Sequence, residues 1–318
     1  MSAEGGGKAV VAALSANAGI AVAKFVGFLF TGSSSMLAEA VHSLADTSNQ
    51  GLLLLGRRTS KRRATQRHQF GFGRERYFYG FVVALLLFSV GSIFAVYEGV
   101  EKILDPHPLD SPLVAIIILV AAAVMEGLSF RTAMKESRVT KGGVSWFAFI
   151  REAKSPDLPV VLLEDTGALI GLIFALLGVV LSVATGNPVF DGIGTVCIGA
   201  LLGVFATVLI VETKSLLIGE GASPAMLATI VGELERGKVD QVIHIRTQYL
   251  SPDELLVAAK IALVADLPLE DVAQAIDDAE LRVRDKVPVA RLIYLEPDLY
   301  REHLRTPPAE DGPVASQA

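Results

Sequence analysis

A single cysteine, Cys197, occurs in the chain, and it lies inside an apolar run. That excludes a disulfide framework and a thiolate metal cluster formed within one chain. There is no Gly-rich phosphate loop and no short-period repeat. No cleavable signal peptide is expected either. The first apolar run starts near Lys8 without a basic segment ahead of it and continues too long. The apolar runs hold no histidine besides His42, and no membrane-protease motif is recognised, which ranks an intramembrane metallohydrolase low.

Apolar residues are what the chain has in quantity. Its 318 residues are 52% hydrophobic, with a mean hydropathy of +0.50. Such a composition suits a multi-span membrane protein with a soluble part. Six spans are expected at about 9–30, 36–55, 77–100, 113–129, 159–184 and 189–211. Met1–Gly7 reads as a frayed end. The net charge of −6 conceals an asymmetry. Basic residues crowd the connections between spans two and three and between spans four and five, while the other three turns carry no Lys or Arg. By the positive-inside rule the two basic loops are cytoplasmic, and six spans then place both termini there as well. Topological sorting accounts for these loops; contact with anionic lipid is the functional alternative.

After about Gly219 the composition changes. Ser223-Pro224 reads as a cap with Pro at the first helical position, opening a helix to about Arg236. Strands are expected at 241–250 and 254–264, an amphipathic helix at 267–286 and a third strand at 289–295. The expected domains are a transmembrane region 1–218, a small cytoplasmic α+β unit 219–300 of order α-β-β-α-β, and a disordered tail 301–318.

The polar exceptions inside the spans carry the functional signal. His42 and Asp46 are four residues apart, so a helix puts them on one face about one turn apart. An Asp near a bilayer centre costs about 2.5–3.5 kcal/mol on insertion scales, so its presence there asks for a function. Imidazole plus carboxylate makes half a site for a divalent metal such as zinc. The other half must come from another helix, and Asp165 is the candidate. Glu39 lies three residues before His42 on the same face, as a proton or water relay or a structural hydrogen bond. Asn17 and Asn49 read as interhelical packing. Lys24 is expected to snorkel to the nearer surface. Glu98 and Glu126 read as acids near helix ends.

The stretch Leu37-Ala-Glu-Ala-Val-His-Ser-Leu-Ala-Asp-Thr-Ser-Asn-Gln50 resembles the second-helix signature of the cation diffusion facilitator family. His68-Gln-Phe-Gly-Phe-Gly-Arg-Glu75 resembles that family's following segment, and the six spans and α+β tail fit too. The resemblance implies a ferredoxin-like soluble unit and a homodimer that moves zinc or a related divalent ion out of the cytoplasm, in exchange for protons. It also implies a transport site of two residues on helix two and two on helix five. His42 and Asp46 match the first pair, and Asp165 matches the helix-five aspartate. The histidine position falls on Val161, which cannot bind metal. Water or Glu164 then completes the site, although Glu164 points about 100° away from Asp165 on an ideal helix. Zinc is the expected cargo, with manganese, iron or cobalt open because losing an imidazole hardens the donor set.

The family's secondary metal site would need residues at His68, Phe72 and Thr65, of which only the first is a ligand type. His244 reads as a strand residue. With only His303 beyond it, a two-metal clamp in the tail is not expected. Arg74 takes the place of a family lysine that joins an intersubunit salt bridge, with Glu220 as candidate partner. The expected mechanism uses protonation: neutral imidazole and ionised carboxylates bind the ion, and incoming protons displace it, His42 being the natural carrier. A membrane scaffold whose helix-five site has decayed is the competing reading. The expected host is a bacterial inner membrane.

Overall fold

The computed structural model describes residues 4–109, 111–141, 143 and 145–301. They divide into two compact units, with the boundary between Ile218 and Gly219.

The first unit is helical. It contains α1 (Glu4–Thr31), α2 (Ser34–Thr59), α3 (Glu75–Leu86), a π-helical stretch Leu87–Ile93, α4 (Phe94–Leu104), α5 (Pro112–Lys141), α6 (Trp146–Glu152), α7 (Asp157–Thr185) and α8 (Val189–Ile218). Four stretches are long and apolar enough to cross a membrane: Glu75–Leu104, Pro112–Thr132, Pro159–Thr185 and Val189–Ile218. In α1 the qualifying stretch among described residues is shorter, Ala18–Thr31. The 26-residue α2 is long enough but carries Glu39, His42, Asp46, Arg57 and Arg58.

Most helices run past the expected spans, because helical hydrogen bonding continues into polar sequence once a long helix is nucleated. The backbone is already helical at Glu4, where a frayed end is expected. Helix α5 continues to Lys141, well beyond the apolar stretch.

Small residues let three of these helices approach closely. A Cβ added to Gly192 of α8 would lie 2.8 Å from the Gly99 carbonyl of α4. On the other side, one added to Gly194 would lie 2.8 Å from the Phe174 carbonyl of α7. Side chains would force these backbones apart, which is why small residues favour packing of apolar helices.

The second unit contains α9 (Pro224–Leu234), β1 (Val239–Ser251), β2 (Glu254–Leu263), α10 (Leu269–Lys286) and β3 (Leu292–Pro297). The order matches the expected α-β-β-α-β. Ser223 caps α9 by accepting from the Met226 N–H, with Pro224 at the first helical position. The sheet order is β1-β2-β3, β1 antiparallel and β3 parallel to β2. Ile230 and Leu234 of α9, Ala279 and Val283 of α10, and Val257 and Ile261 of β2 share one core.

Two boundaries differ from expectation. Helix α9 ends at Leu234 because Glu235 leaves helical geometry at ψ 43°. Strand β3 begins at Leu292 because the preceding residues close a turn, with the Arg291 N–H bonded to the Val289 carbonyl. The expected tail, from 302 onward, lies outside the described residues, as does His303.

Candidate functional site

His42 and Asp46 project from one face of α2 as the spacing requires, with His42 Nε2 3.5 Å from Asp46 Oδ2. Both are buried. Yet both ring nitrogens of His42 and the Oδ1 of Asp46 lack a hydrogen-bond partner among the described residues. Buried polar atoms are nearly always paired, so three orphans on neighbouring side chains demand an explanation.

Two cross-helix contacts set the antiparallel register of α2 against α7. Near one end the Asn49 amide donates to Glu164 Oε1 at 2.8 Å. Seven residues further along α7, a Cβ on Gly171 would lie 2.8 Å from Glu39 Oε1. Between these contacts the helices run in opposite directions at equal rise per residue. Asp46 and Asp165 both lie between these two contacts, each within a turn of the Asn49–Glu164 bond. The Asp165 carboxylate accepts from Ser129 Oγ of α5 at 3.2 Å, and it lies within electrostatic range of Asp46.

Glu164 does not join Asp165 on one face. Its carboxylate is buried and engaged by Asn49, as the 100° offset on the helix predicts. Asn49 itself packs between helices, as expected. Val161 lies one turn before Asp165, towards the start of α7. Among the described residues, no three His, Cys, Asp or Glu side chains stand close enough together to ligate one ion in the conformation present. The structure thus places His42 and Asp46 on one face of α2, with Asp165 of α7 within electrostatic range of Asp46, without closing them into a coordination shell.

Lys24 corrects an expectation. It does not reach a surface: its side chain is 0% exposed, with Nζ 3.0 Å from Glu39 Oε2 and 2.7 Å from Ser43 Oγ. A lysine on α1 facing a carboxylate on α2 gains more from that pairing than from snorkelling, because an unpaired buried Glu39 would be costly. The pairing leaves Glu39 Oε1 without a hydrogen-bond partner among the described residues. Sequence reading also missed Glu126. Rather than standing near a helix end, it is buried within α5, in electrostatic range of His42, Asp46 and Asp165. The signal available was its place in the stripe Ala115, Leu119, Ala122, Glu126, whose spacing marks one helical face.

A second buried polar cluster lies at the far end of α2. Asp191, at the start of α8, accepts from Ser33 Oγ at 3.0 Å, from the Ser34 N–H at 2.9 Å and from Ser35 Oγ. Ser33 also caps α2 by accepting from the Met36 N–H. The carboxylate thus meets the first-turn N–H groups of α2, where negative charge is favoured.

The remaining expected ligand types stand apart. His68 is exposed, its ring centroid 4.6 Å from that of Phe72. His244 sits in β1 opposite Lys260 and accepts from Arg246 Nε at 3.2 Å. Arg76, in the first turn of α3, donates to Asp157 at 2.5 Å and to Ser155 at 2.9 Å.

Long apolar helices enclosing buried, cation-competent donors define a helical membrane protein that handles ions rather than a soluble enzyme. A family model for the cation efflux transmembrane domain matches residues 10–218. The chain belongs to that family, the cation diffusion facilitators. It is 35% identical over 243 residues to the human protein named "Proton-coupled zinc antiporter SLC30A9, mitochondrial", covering 76% of this chain and 43% of the relative. It is 29% identical over 259 residues to metal tolerance protein C4 of Arabidopsis thaliana, covering 80% and 56%. Against zinc transporter ZitB of Escherichia coli it is 28% identical over 234 residues, covering 74% and 68%. The chain thus spans less than half the length of its human relative. Membership gives residues 10–218 the transmembrane domain of cation efflux proteins.

Proposed function

We propose that the chain exports zinc from the cytoplasm in exchange for protons, by alternating access around His42, Asp46 and Asp165. The observation that carries this reading is the orphaned set on α2. Both His42 nitrogens and Asp46 Oδ1 are buried without a hydrogen-bond partner among the described residues, with Asp165 of the facing helix within electrostatic range of Asp46. A divalent ion would complete all of them. Binding requires neutral imidazole and ionised carboxylates, so protonation opposes it and couples the two fluxes. The names of the human and bacterial relatives, which specify zinc, support the choice of cargo.

Ligation needs the side chains on α2 and α7 to close by a few ångströms, which rocking of one helix group against another would supply. Glu164 is held by Asn49 in the conformation present. It enters the shell only if that bond breaks, and otherwise water is the fourth ligand. We assign six spans, α1 and α2 being the two whose apolar stretches are short or interrupted, with both termini cytoplasmic by the charge of the connecting loops. We further assign the domains as 1–218 for transport and 219–300 for dimerisation of a homodimer. The latter, with its mixed sheet, belongs to the ferredoxin-like class. A bacterial inner membrane is our choice of host, in keeping with the bacterial relative. Manganese, iron or cobalt is the second reading. It is favoured by Val161, which removes an imidazole and leaves carboxylates in the majority.

The test is zinc uptake into vesicles reconstituted with the full chain under an imposed pH gradient. Wild-type protein should accumulate zinc, and collapse of the gradient should stop it. Wild-type flux from His42→Ala or Asp46→Ala would overturn the site. Zinc bound at equilibrium but never moved would favour a scaffold.

A further inference from the structure

We propose that Glu126 is a cation ligand, bringing a third helix into the transport site and setting its preference for harder ions. The inference rests on the reading of His42 and Asp46 given above.

Helix α5 turns one face inward, marked by Ala115, Leu119 and Ala122, and Glu126 is the next residue in that stripe. It is 8% exposed and makes no hydrogen bond or ion pair with any described residue. Ser129, three residues on and therefore on the same face, donates to Asp165 Oδ2. That contact fixes the level of α5 against α7. Helices α5 and α7 are in contact, as are α7 and α2, and as successive spans α5 and α7 run in opposite directions. One turn back from Ser129 along α5 is therefore one turn onward from Asp165 along α7, which the Asn49–Glu164 and Glu39–Gly171 contacts set against the turn of α2 that begins one turn back from Asp46. That last position is His42. Glu126 thus comes to the level of His42 and Asp46, within electrostatic range of both.

Charge points the same way. Asp46, Asp165 and Glu126 converge in an interior whose nearby buried cation, Lys24, is already tied to Glu39. A divalent ion supplies the balancing charge. The acids alone would not argue for a ligand. The nitrogens of His42 do, because no described residue hydrogen-bonds to them.

The donor set that results is one imidazole and three carboxylates from α2, α5 and α7. It is displaced by one to two turns from a set that would include position 161. Glu126 therefore makes up the ligand number lost at Val161 without occupying its place. Three carboxylates make the set harder than one with two imidazoles, so it holds Mn²⁺ relatively better.

The test is equilibrium binding of Zn²⁺ and of Mn²⁺ to the purified full chain in nanodiscs. It compares wild type with Glu126→Gln, Glu126→His and His42→Ala. Glu126→Gln should weaken both ions by about tenfold or more, a loss expected when a metal site is stripped of a supporting group. Manganese should suffer more than zinc. Glu126→His should raise the ratio of zinc to manganese affinity, a change that a merely structural role would not produce. Unaltered affinities in Glu126→Gln would overturn the assignment. If that variant fails to fold, an unchanged metal ratio in Glu126→His would overturn it as well. Should His42→Ala also bind as wild type does, the transport site itself falls. Loss in His42→Ala with no effect at position 126 removes only Glu126.

Discussion

Asp191 and Asp46 are both carboxylates buried among apolar helices, and they are held in opposite ways. Asp191 is saturated: two serine hydroxyls and a backbone N–H converge on it. Among the described residues, Asp46 Oδ1 has no hydrogen-bond partner, and neither has either nitrogen of the histidine beside it. A buried carboxylate that the protein satisfies is part of the scaffold. One that the protein leaves unsatisfied keeps its bonding capacity for something from outside. The same helix, α2, carries the first arrangement at its start and the second near its middle. It is thus anchored at one end and left receptive further along. The Lys24–Glu39 pair lies between these extremes, with one oxygen of Glu39 bound and the other orphaned.

Several substitutions would break or sharpen this contrast. The largest effect is expected at Lys24→Met, which strands the buried carboxylate of Glu39 and should cost about 3–5 kcal/mol. Thermal unfolding in detergent would measure it, and Lys24→Met with Glu39→Leu should recover most of the loss. Asp191→Ala leaves a backbone N–H and two hydroxyls without their acceptor, a cost of about 2–3 kcal/mol. The folded fraction should bind zinc as tightly as wild type, since the anchor is separate from the receptive donors. Gly171→Ala drives a Cβ to 2.8 Å from Glu39 Oε1, and overpacking of this kind costs about 1–3 kcal/mol. Shortening the acid with Glu39→Asp in that background should return part of it. The smallest effect is expected from Ser129→Ala. It removes one hydrogen bond from Asp165, worth about 1 kcal/mol, and is best read as the change in unfolding midpoint.

How much of this was legible in the sequence depends on whether the information is local. The pairing of His42 with Asp46 follows from a four-residue spacing, and helical periodicity alone puts them together. The 100° offset between Glu164 and Asp165 is equally local, and Glu164 duly faces Asn49 instead of sharing Asp165's face. The Ser223 cap and the Ser251-Pro252-Asp253 turn carried their own signatures into the second unit.

What stayed hidden depends on register between helices. Lys24 reads as a snorkelling residue because its partner is 15 positions away on another helix. Asp191 reads as part of an apolar span, because the serines that satisfy it stand more than 150 positions earlier. Glu126 reads as a helix-end acid until α5 is seen to continue to Lys141. The π-helical stretch Leu87–Ile93 has no Pro to announce it, and its single Gly91 does not specify one. It lies where Ser92 donates to the Gly199 carbonyl of α8.

The most direct test of the receptive cluster is anomalous scattering at the zinc edge, from crystals of the full chain grown with zinc. The account predicts a peak between α2 and α7, about 2.0–2.2 Å from a His42 nitrogen and an Asp46 oxygen. A zinc-loaded protein whose peaks all lie elsewhere, with the His42 nitrogens still unpartnered, would contradict it.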